Sequence, residues 1–550
     1  MVVATAPAGA AGPAGASCGT TRSGVERALW EHRAQEERRG PARTLGALGA
    51  DEDVGQIAVL TDEGDLVLLR HPLDLQGAGL EFVPRASGFA VTRVDRPVAA
   101  DPGGPLALTD DSNVAVALPF SFPFYGKNYT RTFVNSDGNL SFGAGESAST
   151  PRDMGRLLAG PPRIAPLFAD LDPGAGGGVA SFGDAGRFSV TWTGVPQYGE
   201  SDTSTFQVTL YPDGRIVFAY DDALTSSLAE GVVGVAPGAG FGGLTPVDLS
   251  AAAGATGTGA LAESFRSQSE LDAVAVARKF YATHSDDYQG LVIFTSAKLG
   301  RAGGYFAYEL TVKNTDAGIG DAIEDYSARF GSAGRLESFV TMDYIFKYPD
   351  DPQKVFLGSD TTLSLMGQEV GHRWGAYALF KDGDTVSHEL LGRDEQHWSF
   401  YLDTDASHLE GNDIEDQGGG SFRTVGSTLR YSPLDQYLMG LRPPGEVPPF
   451  FFVRSAPGTP SFDRAAAPET GVSFTGVRKD VTIADVVAAL GPRSPAPGPR
   501  PPYRQAFVYV DAGGADAAKA VAKVETIRAA WEPFFSRSTD GRGAVDARLH

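Results

Sequence analysis

The chain has 550 residues, too many for a single core, which predicts two or three domains. Its net charge of −22 comes with no basic run or stripe, which excludes a nucleic-acid-binding surface. A single cysteine, Cys18, excludes an intrachain disulfide framework, and no apolar run approaches the roughly 20 residues of a membrane helix. Glycine (69) and proline (36) are abundant and predict many turns and long loops.

Residues 1–52 read as a disordered leader rich in Ala, Gly and Pro. Met1 to Ser17 has no Lys/Arg n-region and does not make a signal peptide. For a secreted chain, the export signal is then expected either to be truncated or to start upstream. Within this stretch residues 22–39 read as a polar, charged helix. From 53 to 250 the apolar period is two. Ile57–Leu60 and Leu66–Leu69 flank Asp62-Glu63-Gly64-Asp65 as a hairpin. Phe188, Val190 and Trp192 alternate with polar residues, as do Phe206, Val208 and Leu210. Pro212-Asp213-Gly214 then turns the chain into Ile216, Phe218 and Tyr220. Half-buried antiparallel strands of this kind predict an all-β, sandwich-like domain.

Four segments carry a resemblance: Leu118-Pro-Phe-Ser-Phe-Pro-Phe-Tyr-Gly126, Val134-Asn-Ser-Asp-Gly-Asn-Leu-Ser-Phe142, Arg163 to Asp172, and Thr209 to Ile216. In this order they resemble the nidogen-like domain of matrix and cell-surface proteins over residues 110–240. The resemblance implies an extracellular adhesion module whose partners are matrix or cell-surface proteins. Residues 251–262, rich in Ala, Gly and Thr, read as a linker.

A different pattern follows from 263. Ser269 is placed to cap a helix through Leu271, Val274, Arg278 and Tyr281, and Leu291–Phe294 and Phe339–Phe346 are apolar stretches. Leu363, Met366, Val370 and Trp374 then form one stripe of a helix capped by Ser359 or Asp360. On another face lies Gln368-Glu369-Val370-Gly371-His372. It is the H-E-x-x-H zinc signature with glutamine at the first metal position. The amide oxygen of Gln368 is a weaker ligand than imidazole. Glu369 is the candidate general base, and E-x-x-H spacing equally allows it to be a ligand. Gly375 is placed to end the helix at positive φ. A metzincin would place its third histidine at the position held here by Ala378. His397, in Gly392-Arg-Asp-Glu-Gln-His-Trp-Ser399, is the alternative.

These motifs resemble metzincin peptidases over roughly Leu271 to Gly440, within a catalytic domain expected over 263–445, in particular leishmanolysin-like members with an insertion before the third histidine and gametolysin-like members with Gln for His. Tyr431 to Gly440, containing Asp435 and Met439, resembles the Met-turn. The resemblance implies an α+β zinc metallopeptidase, in which Glu369 is the base and His372, His397 and Gln368 hold Zn2+. Proteins or peptides would be its substrates. His388-Glu389 is a decoy, because Gly392 stands where a second histidine is required. The acidic cluster of Asp403, Asp405, Glu410, Asn412, Asp413, Glu415 and Asp416 suits Ca2+, with Asp403, Asp405, Asp413 and Asp416 as its candidate ligands and solvated loop charge as the alternative. Residues 446–550 read as a C-terminal α/β subdomain. The whole reads as a secreted, bacterial-type zinc peptidase with a nidogen-like module. The competing reading is a non-catalytic adhesion or scaffold protein with a degenerate peptidase domain.

Overall fold

A computed structural model describes residues 24–39, 51–148, 152–222, 224–225, 228–238, 244–299, 306–459 and 461–550. Cys18 and residues 1–23 of the expected leader lie outside them. The described residues fall into two units. One is drawn from Glu26–Ala42 and Leu68–Glu270, the other from Arg43–Val67 and Leu271–His550. No helix among the described residues is long and apolar enough to cross a membrane.

In the first unit, alternating side chains from a seven-stranded and an eight-stranded sheet fill one core. Val190, Trp192, Phe206, Val208 and Phe218 enter it from one sheet, and Phe122, Leu140, Ile164 and Val235 from the other. This is the sandwich that the period-two pattern predicts. The strand Arg163–Ala169 is buried at every position. Its second face is covered by the helix Gly24–Arg39, whose Trp30 and Ala34 pack with Ala165, Phe168 and Val232. The same helix carries buried charge. Arg27 donates from Nη1 and Nη2 to the two carboxylate oxygens of Glu270 (2.8 and 2.7 Å) and from Nε to Glu230 (2.7 Å). Glu31 pairs with Arg266 and accepts from the Ser264 hydroxyl (2.6 Å). The charged residues that make this segment look solvent-facing are in fact its anchors.

Residues 251–262 are not a linker. Ala253–Thr258 pairs antiparallel with Gly88–Val94, and Ala260–Arg266 pairs with Glu230–Ala236. Their small residues mislead because an exposed edge strand needs no bulky side chains. A Cβ on Gly257 would also meet Thr245 at 2.8 Å.

The second unit is built on a mixed sheet. Its order is Glu52–Val54, Ile57–Thr61, Tyr503–Asp511, Gly290–Thr295, Ser338–Tyr344, Tyr308–Thr311, the middle four parallel. Two expectations are corrected here. Ile57–Leu60 does not form a hairpin with Leu66–Leu69 in the β domain. Residues 57–60 are buried and pair in parallel with the strand Tyr503–Asp511. A continuous apolar run marks a strand covered on both faces, not one alternating between core and water. Nor is 446–550 an appended subdomain, since Tyr503–Asp511 lies inside the sheet. The helix Ala517–Ser538 shares one core with the motif helix, Thr362–Gly371, through Val524, Ile527, Trp531, Met366 and Val370. Smaller helices differ in their caps. Asp272, not Ser269, caps Ala273–Thr283. Thr361 caps the motif helix by a reciprocal box with Ser364, whose hydroxyl donates to Asp360.

Removing Arg27 would take from the buried carboxylate of Glu270 both hydrogen bonds of its cation. Arg27→Ala is predicted to lower the stability of the β-rich unit by about 3–5 kcal/mol in urea unfolding of the full chain. A loss below about 1 kcal/mol would mean that the helix is not anchored by these pairs.

Candidate metal centre

The motif helix ends at Gly371, and His372 follows in helical conformation as its C-cap. The chain then doubles back. The amide of Ala376 donates to the carbonyl of Gln396 (3.2 Å), and the amide of Trp398 donates to the carbonyl of Leu409 (2.9 Å). These bonds draw the 393–410 segment against the end of the helix. His372 and His397 meet there, both fully buried, with ring centroids 4.7 Å apart and planes at 84°.

Each ring is held by a backbone carbonyl. His372 Nδ1 lies 3.0 Å from the carbonyl of Gly375, and His397 Nδ1 lies 3.0 Å from the carbonyl of Arg393. A carbonyl only accepts, so both Nδ1 atoms carry the proton and both Nε2 atoms keep a lone pair. A guanidinium only donates, and Arg393 Nη2 lies 3.1 Å from His397 Nε2, which fixes the same tautomer from the other side. Burial holds both rings neutral. It pushes His372 well below the usual histidine range, reinforced by His397, and lowers His397, reinforced by Arg393.

Two residues of this centre, Glu410 and Arg393, were not expected beside the histidines. Glu410 lies with Oε1 at 3.9 Å from His397 Nε2, and Arg393 grips both of its carboxylate oxygens. Burial opposes the charge on Glu410, yet Arg393 holds its carboxyl down at about 2. Gln368 joins through its amide nitrogen, which donates to Glu410 Oε1 (3.3 Å). Glu369 is buried on the sheet side of the helix, where its charge is felt by Glu309, Lys347 and Tyr348. His372, His397 and Glu410 do not bring three donor atoms within 4.8 Å of one another; among the described residues only Asp403, Asp405 and Asp413 do. The space between His397 and Glu410 is held by the guanidinium of Arg393.

The support residues take other forms than a Met-turn implies. Pro433–Leu438 is a short helix, and Met439 packs in the core with Val370 and Trp374. Asp435 is a buried bracket. It accepts from Trp398 Nε1 (2.8 Å), the Ser407 hydroxyl (2.6 Å) and the Ser432 amide (2.7 Å), tying three segments together. Gly375 does not use positive φ. It is needed for close approach, because a Cβ there would meet Leu409 Cδ1 at 2.8 Å.

Of the acidic cluster, Asp403, Asp405 and Asp413 each place a carboxylate oxygen within 4.8 Å of the others. Burial and the two neighbouring carboxylates push Asp403 up to about 6. Asp416 does not join them. It is an exposed partner of Arg478 (2.9 Å), drawn away by its own hairpin strand.

Comparison with known proteins bears on the first unit. Residues 96–275 match the family model for NIDO-related domains. Alpha-tectorin of Homo sapiens and that of Mus musculus are each 29% identical over 174 residues, covering 25% of this chain. The chain spans only 8% of the length of these relatives. No solved structure matches significantly. The matched region includes the strands of 251–266, as the sandwich does, and is wider than the 110–240 segment expected.

Glu309, buried on the strand Tyr308–Thr311, gives the centre's sheet side a pH dependence. Burial pushes its carboxyl up to about 8, against hydrogen bonds from Ser338 (2.7 Å) and Thr311 (3.0 Å) and the charge of Arg373; the charge of Glu369 adds to the rise. The native state therefore holds a proton that the unfolded chain has lost between about pH 4.5 and 8, so stability falls as pH rises through that window. Glu309→Gln copies the neutral acid. Its stability relative to wild type is predicted to rise by about 1–3 kcal/mol from pH 5 to pH 8. Parallel pH profiles for the two proteins would contradict the assignment.

Proposed function

We propose that the chain is an extracellular protein whose nidogen-related module serves adhesion and whose second unit carries a zinc-dependent peptidase centre. The observation that carries the peptidase reading is the pair of Nε2 lone pairs on His372 and His397, preset by two backbone carbonyls. His372 and His397 would hold the ion, with an oxygen donor from Gln368 or its carboxylate neighbour. Bound zinc supplies a water of lowered pKa and a Lewis acid for the scissile carbonyl. On this reading Glu369 would take the proton of the attacking water and return it to the leaving amine. Glu309, neutral at pH 7, spares Glu369 a second negative charge beside it. The substrates are extracellular proteins or peptides. Asp403, Asp405 and Asp413 suit calcium, three hard oxygen donors on one loop region.

One observation favours the second reading, a non-catalytic adhesion or scaffold protein. Arg393 satisfies Glu410 and His397 without any metal. Metal analysis of the purified protein, with casein hydrolysis in the presence and absence of chelator, separates the two. On the peptidase reading the protein holds about one zinc per chain and chelator stops hydrolysis. Glu369→Gln should then lower the rate at least about a hundredfold with zinc content unchanged. Loss of zinc in that variant would make Glu369 a ligand. A metal-free, inactive wild type would hand the function to the scaffold reading.

A further inference from the structure

Resting on the reading of the first unit as an adhesion module, we propose that one end of its sandwich is a peptide-binding cup that takes a large apolar side chain, with Arg85 reading a carboxylate beside it. A cavity of about 430 Å³ lies there, within the range of ligand clefts, about 300–1,000 Å³. Three strand connections surround it. Gly79–Arg85 turns into Gly88–Val94, Asn113–Phe124 into Lys127–Asn135, and Ala253–Thr258 into Ala260–Arg266. Both sheets contribute strands, so the packed core of the sandwich fixes the walls.

The lining chooses the occupant. Pro84, Pro123 and Pro237 present rigid rings, and Phe89 and Phe124 form a buried floor. No carboxylate lines the cup, in a chain whose acids outnumber its bases by 68 to 46, and Arg85 is the lining's one charged group. Among the described residues its guanidinium has no carboxylate partner. An anion therefore meets a cation here and no repelling group in the lining, although the chain as a whole is strongly acidic. A glycan would bury several hydroxyls, each needing a partner, and beside Arg85 the side chains of the cup offer it little besides the hydroxyls of Ser87 and Thr258. An apolar side chain needs no such partners and matches the prolines and rings. The occupant is a segment of a protein partner in which a large apolar residue stands beside an Asp or Glu.

Tyr125 is held in the wall against its own backbone preference. Tyr125-Gly126 is the two-residue loop between the paired Phe124 and Lys127, with φ of 46° and 76°. Such a loop favours Asn, Asp or Gly at its first position, and a bulky residue there is strained. Its surroundings hold it in place. The Tyr125 hydroxyl donates to the carbonyl of Gly259, and its ring meets those of Phe89 and Phe124 edge-on, with centroids 5.2 and 4.8 Å away. These contacts tie the three connections together. The cup is formed before a ligand arrives, which lowers the ordering cost of binding.

The test is panning of a phage library of random seven-residue peptides on the immobilised full-length protein, with affinities of the enriched peptides then measured by fluorescence anisotropy. Enriched peptides should place an Asp or Glu next to a Phe, Tyr, Trp or Leu. Arg85→Glu should weaken their binding at least about tenfold and Arg85→Lys less, because a charge-assisted partner of the carboxylate is lost. Ser87→Trp, which crowds the mouth without changing its charge, should weaken them too. Both positions are exposed, so the urea midpoint of each variant should match the wild type. Enriched peptides that bind Arg85→Glu and Ser87→Trp as well as the wild type, or enrichment of none, would overturn the cup. Arg85-dependent binding of hyaluronan in place of peptides would overturn the choice of a peptide. Attachment of cultured cells to surfaces coated with wild type or Arg85→Glu reads the module separately. Equal attachment without any Arg85-dependent peptide rejects the cup and keeps the adhesion reading, whereas no attachment to either protein rejects that reading itself.

Discussion

Two backbone carbonyls determine what the buried centre of the second unit can do. A neutral imidazole offers either nitrogen as a lone pair, and the partner of the other nitrogen decides which. The carbonyls of Gly375 and Arg393 each accept a hydrogen bond from an Nδ1–H, so both Nε2 atoms are left as acceptors in a buried place. Neutral, aimed and close together, the rings have the chemistry of ligands. Everything else in the region serves to place those carbonyls. The Ala376–Gln396 hydrogen bond and the Asp435 bracket bring the segments together, and the absence of a side chain on Gly375 lets Leu409 close over them.

The framework beneath is an α/β sheet whose strands come from remote parts of the chain. Ile57–Thr61, Gly290–Thr295 and Tyr503–Asp511 lie side by side, so the centre depends on residues far from any motif. The first unit works differently. Its sandwich closes on an apolar core and fixes its covering helix by buried ion pairs, where a single lost cation is expensive. It offers a shaped surface and carries the match to NIDO-related domains.

Local patterns were legible wherever one element decides its own environment. The alternation through Phe188–Trp192 and Phe206–Leu210 gave strands with those residues inward, and the stripe Leu363–Val370 gave the motif helix. The pairing of His372 with His397 followed from chain order around Gly375. What could not be read were facts of tertiary partnership. Ile57–Leu60 looks the same whether its neighbour is the next strand or one near residue 507. Ala253–Thr258 has the composition of a linker because its edge position asks for nothing larger. The polar, charged helix read over 22–39 gave no sign of partners, yet Arg27 and Glu31 meet buried residues more than two hundred positions away. Glu410 sat in an acidic run read as calcium ligands. Only the folded chain separates it from Asp403, Asp405 and Asp413 and sets it against Arg393.

The most direct test of this account is the protonation state of the two rings. In protein labelled with 15N at its eight histidines, long-range 1H–15N correlation distinguishes the tautomers and their charge. For His372 and His397 the account predicts neutral rings with the proton on Nδ1 at pH 7, titrating at lower pH than an ordinary histidine. Nε2-protonated rings, or titration at or above the ordinary histidine value, would contradict it, because no lone pair would then be waiting for a metal.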